Sequence, residues 1–251
     1  MTDPAYLPCQ DGEQIAYHRV AGRGPGLVWL GGFQSDMNGT KAQAIAAFAA
    51  REGRACLKFD YFGHGASSGA FENGTISRWR DDAVAVLDSL TEGPQVLVAS
   101  SMGGWIAMML AAARPERIAA MVLIAPAPDF TEVLMWDRMP PDVRRAIAQD
   151  GCWQYQPDGG EGYPITRALI EDGRNCLVLD KTLNLAGPVR ILHGEADKDV
   201  PWQHGLRLMD VLTGDVTFTL VKGADHRLSS AANLALIVRT LEGVLQDLES
   251  C

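Results

Sequence analysis

The chain of 251 residues carries 22 basic and 31 acidic residues, which gives a formal net charge of -9. Hydrophobic residues make up 47% of the sequence, which excludes global disorder, because a disordered chain has too little apolar surface to offset its entropy. The acidic balance and the lack of a basic cluster exclude a phosphate-binding surface for nucleic acid. This length allows one large domain or two small ones, and either can bury a core.

No segment of the sequence is typical of a membrane span or a targeting signal. The longest apolar run begins at Trp105 and ends before Arg114, well short of the ~20 residues that a membrane helix needs. The N-terminus is acidic and shows neither a secretory signal nor an arginine-rich transit sequence. Five scattered cysteines without metal-ligand spacing favour free thiols in a reducing compartment. We therefore expect a cytoplasmic protein without a membrane span, and the sequence assigns it no oligomeric state.

The hydrophobic pattern predicts strands that alternate with helices, after an N-terminal β-hairpin over residues 5–23 that turns near Asp11-Gly12. The predicted strands are short apolar runs, as expected for strands buried on both faces, and cover residues 26–30, 55–60, 95–99, 120–124, 189–193 and 216–221. The predicted helices show apolar residues at helical spacing and cover residues 40–52, 76–90, 104–113 and 234–248. This alternation predicts an α/β fold with a mostly parallel, doubly wound sheet.

Residues 128–187 interrupt the alternation with proline, glycine and aromatic residues and with two short helical patterns, at 142–149 and 165–171. This segment is too short and loop-rich to bury a core of its own, so we expect it to pack over the edge of the sheet as a lid. The predicted organisation is one core domain, residues 1–127 and 188–251, interrupted by a lid insertion at 128–187.

A serine is found where a predicted buried strand turns sharply into an apolar helix. A serine on such a turn has strained backbone angles, so the residues two before and two after it must be small. Ser101 meets this condition with Ala99 and Gly103, whereas the neighbours of Ser100 include bulky Met102. The segment is thus a G-x-S-x-G motif with alanine in first place. It fits either a nucleophile or a small-residue turn that only packs a helix on a strand.

A serine hydroxyl needs a neutral imidazole to accept its proton, and that imidazole needs a carboxylate to fix its tautomer. Asp197 lies in the loop after the strand at 189–193, and His226 lies in the loop after the last strand, at 216–221. Both loops follow the carboxyl ends of strands, the edge where doubly wound sheets place their sites. The order Ser101, Asp197, His226 therefore predicts a catalytic triad.

Two further carboxylates compete with Asp197 for the role of the triad acid. They are Glu195 and Asp199, which lie two residues on either side of it. Asp199 is expected to lead into a helix that starts after Pro201, where an acidic side chain suits the helix N-terminus. Asp197 is therefore the predicted acid, with Glu195 and Asp199 as alternatives.

The base is predicted from the positions of the five histidines. His18 lies in the N-terminal hairpin, His64 and His193 stand in glycine-flanked turns that fit structural roles, and His204 is expected at the exposed start of a helix. Of the five, His226 lies in the loop after the final predicted strand and is the predicted base. Because a histidine must be neutral to accept a proton, activity is expected to decline below about pH 6.5.

Two backbone N–H groups are candidates for binding the oxyanion that develops during acyl transfer. One belongs to Phe33, which follows Gly31-Gly32 after the first core strand, and the other belongs to Met102, directly after the serine. The glycine pair by itself fits a plain turn equally well. The nearby serine motif favours the functional interpretation.

Together these segments resemble the α/β-hydrolase superfamily over nearly the whole chain. Within it they resemble the group of the mitochondrial acyl-protein (palmitoyl) thioesterase, also called mycophenolic acid acyl-glucuronide esterase, and its bacterial relatives. The resemblance is carried by residues 32–42 (GFQSDMNGTKA), 59–61 (FDY), 100–105 (SSMGGW), 113–116 (ARPE), 200–202 (VPW) and 225–227 (DHR). It implies a triad of Ser101, Asp197 and His226, an oxyanion hole from Phe33 and Met102, and hydrolysis of acyl esters or thioesters.

The chain departs from the group in three respects. Ala99 stands where the motif has glycine, the N-terminus is expected to be shorter and without a transit peptide, and the lid residues give no clear match. The lid offers the aromatic side chains Trp136, Trp153 and Tyr155, which suit an acyl chain or an aromatic acid and suit a packed lid interior equally well. These three residues are the predicted substrate contacts.

The predicted function is thus a serine esterase or thioesterase that acts on a small molecule or an acylated protein, without a metal or an organic cofactor. Carbon–carbon bond hydrolases and acyltransferases use the same triad and stay alternatives, as does a non-catalytic binding module. A dehalogenase or an epoxide hydrolase is excluded, because it needs a carboxylate where Ser101 stands.

Overall fold

The computed structural model describes residues 3–156 and 162–250. Its strands are β1 (Ala5–Pro8), β2 (Gln14–Val20), β3 (Arg23–Leu30), β4 (Arg54–Phe59), β5 (Gln95–Ser100), β6 (Ile118–Ile124), β7 (Cys152–Tyr155), β8 (Tyr163–Thr166), β9 (Leu183–Asn184), β10 (Val189–Gly194), β11 (Leu212–Thr213) and β12 (Val216–Val221). Its α-helices are α1 (Thr40–Arg51), α2 (Ile76–Leu90), α3 (Met102–Ala113), α4 (Pro141–Asp150), α5 (Arg167–Asn175), α6 (Trp202–Leu206), α7 (Leu208–Val211) and α8 (Ala231–Glu249). Short 3₁₀ turns cover Phe71–Asn73, Pro115–Arg117 and Trp136–Arg138, and a π-helical turn covers Thr131–Met135.

One mixed sheet of eight strands organises the fold, in the order β1-β2-β4-β3-β5-β6-β10-β12. The β1–β2 and β2–β4 pairs are antiparallel, and the pairs from β4 to β12 are parallel. All six predicted core strands are present, with small differences at their ends. The predicted fold class is therefore confirmed, including the N-terminal antiparallel hairpin.

Both faces of the sheet are covered by helices. Val98 of β5 belongs to the apolar cluster under α1 and α8, and its neighbour Leu97 belongs to the cluster under α2 and α3. Since successive strand residues point to opposite faces, the strand must be apolar at every position, which is the pattern seen in the sequence. The helix α3 is itself covered by the later chain, because Trp105 Nε1 donates a hydrogen bond to the carbonyl oxygen of Cys176 at 2.9 Å.

Between β6 and β10 the chain leaves the main sheet and forms α4, α5 and the antiparallel β7–β8 hairpin. The helix predicted at 142–149 corresponds to α4. The helix predicted at 165–171 begins instead at Arg167, because β-branched Ile165 pairs with Trp153 across the hairpin. The division into a core domain and a lid stays a prediction.

The insertion also buries a small apolar cluster of its own, contrary to expectation. Ile147, Ile165 and Ile170 are each at most 2% exposed, and partly buried aromatic and methionine side chains pack around them. These large side chains supply apolar area that a count of residues underestimates. Residues 128–187 thus hold a small cluster of their own, while Leu169 and Cys176 pack into the main core, and none of the described residues in this range adds a strand to the main sheet.

The described residues form neither a disulfide nor a helix that could span a membrane. The described cysteines, Cys9, Cys56, Cys152 and Cys176, are free, and Cys251 lies outside the described residues. Across residues 3–156 and 162–250, none of the helices combines the length and the apolar character that a bilayer crossing requires.

Candidate active site

Ser101 occupies the turn between β5 and α3, with φ 54° and ψ -119°. A positive φ is rare for a residue with a side chain, and in this strand-to-helix turn it exposes the hydroxyl at the edge of the sheet. Two backbone hydrogen bonds of 3.0 Å hold the turn, from Ser101 N–H to the Ile124 carbonyl and from Ala127 N–H to the Ser101 carbonyl. Ser100 is buried within β5. Of the two serines, Ser101 is therefore the one whose hydroxyl the turn exposes at the edge of the sheet.

The two small positions around Ser101 differ in their surroundings. A Cβ atom on Gly103 would lie 2.2 Å from the carbonyl oxygen of Leu30, so no side chain fits there. Ala99 is fully buried in the apolar cluster under α2 and α3, where its methyl group has room. The fold therefore requires glycine after the serine and accepts alanine before it, which accounts for the departure from G-x-S-x-G.

His226 links Ser101 to Asp197. Its Nε2 atom lies 3.1 Å from Ser101 Oγ, and its Nδ1 atom lies 2.7 Å from Asp197 Oδ2. With Nδ1–H donating to the carboxylate, Nε2 is left as the acceptor for the serine proton. The structure thus brings the three residues of the predicted triad into one hydrogen-bonded chain, although they are far apart in the sequence.

The alternative acids do not reach the histidine. The carboxylate of Glu195 forms an ion pair with Lys222 Nζ at 2.5 Å and accepts the backbone N–H of Gly223 at 3.2 Å. Asp199 is exposed and lines the neighbouring cavity. In the described structure the hydrogen bond to His226 is therefore made by Asp197.

The carboxylate of Asp197 is buried and faces four nitrogen donors. Oδ1 accepts the backbone N–H groups of Asp199 at 3.0 Å and Val200 at 2.8 Å. Oδ2 faces Nδ1 of His226 and, at 3.3 Å, Nε2 of His193. Burial by itself raises the pKa of Asp197, but the bonds from His193 and His226 outweigh it and hold the pKa well below its usual range. The carboxylate therefore stays ionised at neutral pH.

The two predicted oxyanion donors are available beside the serine. Among the described residues, no acceptor is bonded to the backbone N–H of Phe33 or to that of Met102. Phe33 lines the same cavity as Ser101, and a Cβ atom on Gly32 would lie only 3.3 Å from the Cβ atom of Ser101. An N–H group without an acceptor in the protein can donate to an oxygen atom of a ligand, so this pair suits a developing oxyanion.

A cavity of about 640 Å³ opens beside Ser101 and His226. Its apolar lining is formed by Phe33, Ala127, Phe130, Leu134, Met135, Met139, Pro140, Trp153, Tyr155, Tyr163, Ile165 and Val200. Its polar lining includes Arg138, Asp199 and Arg227. The volume lies within the range of about 300–1,000 Å³ that is typical of small-molecule sites. An apolar acyl or aryl group fits this lining.

The predicted lid contacts divide into two groups. Trp153 and Tyr155 line the cavity, whereas Trp136 does not, which corrects the prediction for that residue. The ring of Trp136 lies against the guanidinium groups of Arg144, at 5.5 Å, and Arg174, at 4.8 Å. The ring of Trp136 thus makes cation–π contacts with two arginines and packs against the cluster of Ile147, Ile165 and Ile170, not against the cavity.

His204 is buried and not exposed as the sequence suggested. Its Nε2 atom lies 2.6 Å from the carbonyl oxygen of Pro128, because α6 packs against the start of the insertion. Burial lowers the pKa of His204 to about 4, so the ring is neutral at pH 7 and Nε2–H donates to that carbonyl.

Comparison with known proteins places the chain in a family. Residues 30–156 match the model of the alpha/beta hydrolase fold. The chain is 35% identical to the mitochondrial palmitoyl-protein thioesterase ABHD10 of Homo sapiens, over 99% of this chain and 82% of that protein. The chain belongs to the α/β-hydrolase family. The resemblance predicted from the sequence is thereby confirmed.

Two solved structures resemble this α/β-hydrolase closely. One, from Agrobacterium vitis S4 and described as a hydrolase, has a TM-score of 0.91 and 40% identity and covers 96% of this chain and 98% of its own. The other, alpha/beta hydrolase domain-containing protein 10 from mouse, has a TM-score of 0.90 and 33% identity, with 98% and 100% covered. The whole described fold, insertion included, is therefore shared with these two proteins.

His64 lies in a glycine-flanked turn that fits a structural role in the sequence, and in this α/β-hydrolase it supports the oxyanion loop. His64 Nε2 accepts the backbone N–H of Gln34, the residue after Phe33, at 3.2 Å. Its Nδ1 atom lies 3.1 Å from the carbonyl oxygen of Phe62, so Nδ1 carries the proton. Burial lowers the pKa of His64, which keeps Nε2 an acceptor. The pairing joins loops after β3 and β4, and the sequence has no signal for it.

One group of described residues in the α/β-hydrolase lies close enough together to approach a metal ion. Ligand atoms of Asp197, Asp199 and His226 lie within 4.8 Å of one another. Two of these residues already bond to each other in the chain that ends at Ser101, so a metal would compete with that chain. The prediction that no metal or cofactor takes part stays a prediction.

Proposed function

We propose that this α/β-hydrolase is a serine hydrolase that cleaves carboxylic esters or thioesters of acyl groups through an acyl-enzyme. The observation that carries the proposal is the hydrogen-bonded chain from Asp197 through His226 to Ser101, which ends at an apolar cavity. The similarity over 99% of the chain to ABHD10, named as a palmitoyl-protein thioesterase, supports the same class of chemistry.

In the first half-reaction Ser101 Oγ attacks the acyl carbon while His226 Nε2 takes the hydroxyl proton. The buried carboxylate of Asp197 stabilises the imidazolium, and the backbone N–H groups of Phe33 and Met102 donate to the oxyanion. The imidazolium then protonates the leaving alcohol or thiol as the C–O or C–S bond breaks. The acyl group is now esterified to Ser101.

In the second half-reaction water replaces the leaving group. His226 takes a proton from the water as its oxygen attacks the acyl carbon of the ester on Ser101, and the same donors bind the oxyanion. The proton then returns to Ser101 Oγ as the ester bond breaks. The products are a free carboxylic acid and the original enzyme.

The cavity suits the acyl part of the substrate. Its aromatic wall includes Phe33 and Tyr163, whose rings are 5.5 Å apart and meet edge to face. Burial raises the pKa of Tyr163 to about 12, so this phenol adds no charge to the lining. When an apolar acyl chain is bound in this cavity, its carbonyl group lies at Ser101. The leaving group, which belongs to a small molecule or to an acylated protein, then points away from the apolar wall.

The experiment that tests the proposal compares two adjacent serines. Ser101→Ala should abolish hydrolysis of a p-nitrophenyl ester and labelling by a fluorophosphonate probe, while circular dichroism shows an intact fold. Ser100→Ala, which changes the buried neighbour in β5, should keep both activities. An undiminished rate in Ser101→Ala would refute the assignment.

Product analysis separates the proposed chemistry from the other reactions of the same triad. A chain-length series of acyl thioesters, aryl esters and dienones should give free acid from esters or thioesters. Preferential cleavage of a dienone carbon–carbon bond, or acyl transfer to an added alcohol in place of water, would contradict the proposed reaction.

A further inference from the structure

The side chain of His193, at the carboxyl end of β10, is fully buried beside the triad acid. Its Nε2 atom lies 3.3 Å from Asp197 Oδ2 and 2.9 Å from the carbonyl oxygen of Val200. Both of these atoms are acceptors, so Nε2 carries a proton, and the single N–H is shared between the nearer carbonyl of Val200 and the more distant Asp197 Oδ2. Nδ1 has no hydrogen-bond partner within the described structure, which fixes the tautomer with the proton on Nε2.

The atom that receives this bond is Oδ2 of Asp197, the same oxygen that holds Nδ1 of His226. The other oxygen, Oδ1, is occupied by two backbone N–H groups. The orientation of Oδ2 toward His226 is therefore fixed from both ends of the carboxylate. A second donor on Oδ2 also spreads its negative charge over two partners.

We propose that His193 is a positioning residue for the hydrolase reaction proposed above. It holds Asp197 Oδ2 toward His226 and weakens the attraction of that oxygen for the imidazolium. The proposal rests on the proposed function, since it assigns Asp197 the role of the triad acid. His193 does not line the cavity, so its effect on the reaction passes through Asp197.

The space around His193 is shaped for an imidazole ring. Phe218 of β12 stacks on it with ring centroids 6.0 Å apart and an interplanar angle of 19°. Gly205 of α6 also lies against the ring, because a Cβ atom there would approach His193 Nδ1 to 2.4 Å. The aromatic ring of Phe218 and the backbone of Gly205 thus both pack closely on the imidazole, which restricts its rotation.

Other charged or titratable groups near this pair are the same in every variant considered below. They are Lys41 of α1, Asp199 in the loop after β10, His204 of α6, and Asp225 and Arg227 in the loop after β12. A change in the pH profile between variants at position 193 therefore reports the loss of the Nε2–H donor that Asp197 Oδ2 shares with the carbonyl of Val200.

The test compares one variant that keeps the donor with one that removes it. His193→Gln places an amide N–H close to the position of Nε2, whereas His193→Leu leaves a side chain that cannot donate. We expect His193→Gln to retain kcat within about threefold, and His193→Leu to lose roughly tenfold to a hundredfold, as for a lost bond to a charged group. KM should stay unchanged in both variants.

The pH profile of kcat/KM separates positioning from packing. Without the donor from residue 193, Oδ2 attracts the imidazolium of His226 more strongly. The acidic limb of the His193→Leu profile should then move to higher pH by roughly half a unit to one unit. If His193→Leu does not fold, His193→Met replaces it, because the flexible thioether side chain adapts to irregular space.

Phe218→Leu is the matched control, because it loosens the packing around His193 and leaves its donor in place. It should lower thermal stability and keep the wild-type acidic limb. The proposal is overturned if Phe218→Leu shifts the limb as His193→Leu does. It is also overturned if His193→Gln loses as much kcat as His193→Leu, or if His193→Leu keeps both kcat and the wild-type limb.

The wild-type enzyme distinguishes this inference from the proposed function. Absence of hydrolysis that depends on Ser101 would refute the proposed function itself. If that hydrolysis is present and the profile of His193→Leu matches wild type, the role of His193 alone is refuted.

Discussion

Nδ1 of His226 lies 2.7 Å from Oδ2 of Asp197, and this contact joins the loops after β10 and β12. The two strands are parallel neighbours in the sheet, so their carboxyl ends bring the loops together. Because the carboxylate of Asp197 is buried, little solvent screens its attraction for the histidine. The contact therefore fixes the tautomer of the ring that faces the serine.

Replacing the acid should remove most of the activity and keep the fold. In Asp197→Asn the amide cannot hold His226 as a carboxylate does, so kcat should fall by about a thousandfold or more in an ester hydrolysis assay. The matched control is Glu195→Gln, which alters the carboxylate paired with Lys222 and should keep the wild-type rate. Equal losses in the two variants would point to a general effect on the loop.

The two small residues around Ser101 should respond differently to a change of one methyl group. Gly103→Ala drives a Cβ atom against the carbonyl oxygen of Leu30 and should destabilise the fold by about 2–3 kcal/mol and disable the turn. Ala99→Gly restores the G-x-S-x-G motif, should cost about 1 kcal/mol, and should keep kcat. Chemical denaturation and ester hydrolysis measure both effects, and a fully active, stable Gly103→Ala would contradict the geometry.

Two tryptophans of the insertion should separate substrate binding from packing. Trp153 lines the cavity, so Trp153→Ala should raise KM for long acyl chains by roughly tenfold and leave short chains less affected. Trp136 lies outside the cavity, so Trp136→Ala should lower the melting temperature and leave the chain-length preference unchanged. Steady-state kinetics over a series of acyl p-nitrophenyl esters checks this, and a preference that changes equally in both variants would refute it.

Buried His204 should make the unfolding free energy depend on pH. Its pKa is lowered from 6.5 to about 4, so between these values the unfolded chain binds more protons than the folded chain. This contribution to stability is complete above about pH 6.5 and is lost as the pH falls toward 4, by roughly 2–3 kcal/mol.

The variant His204→Gln isolates this contribution. Glutamine can donate to the carbonyl of Pro128 and does not titrate, so the variant should show a flatter dependence of unfolding free energy on pH between 4 and 6.5. Urea unfolding at a series of pH values measures the slope. A slope identical to wild type would show that His204 is not the group responsible.

The sequence by itself determined the fold class and the order of its elements. The apolar strands buried on both faces and the helical periodicities are local patterns in the sequence. Each pattern predicts one type of element, and their alternation predicts a doubly wound sheet. The same is true of the strand-to-helix turn at Ser101, because its backbone strain requires small neighbours within two residues. Chain order and strand ends were enough to nominate Asp197 and His226 for the same edge of the sheet.

The tertiary structure alone decided which of these side chains meet and at what distance. The preference for Asp197 over Glu195 depends on where the loop after β10 directs each carboxylate, which spacing does not encode. The separation of Trp153 from Trp136 depends on packing within the insertion, since both are equally aromatic in the sequence. Contacts between residues distant in the chain, such as that of His64 with the oxyanion loop, arise only when the strands align, because hydrogen bonds require proximity that the linear sequence does not carry.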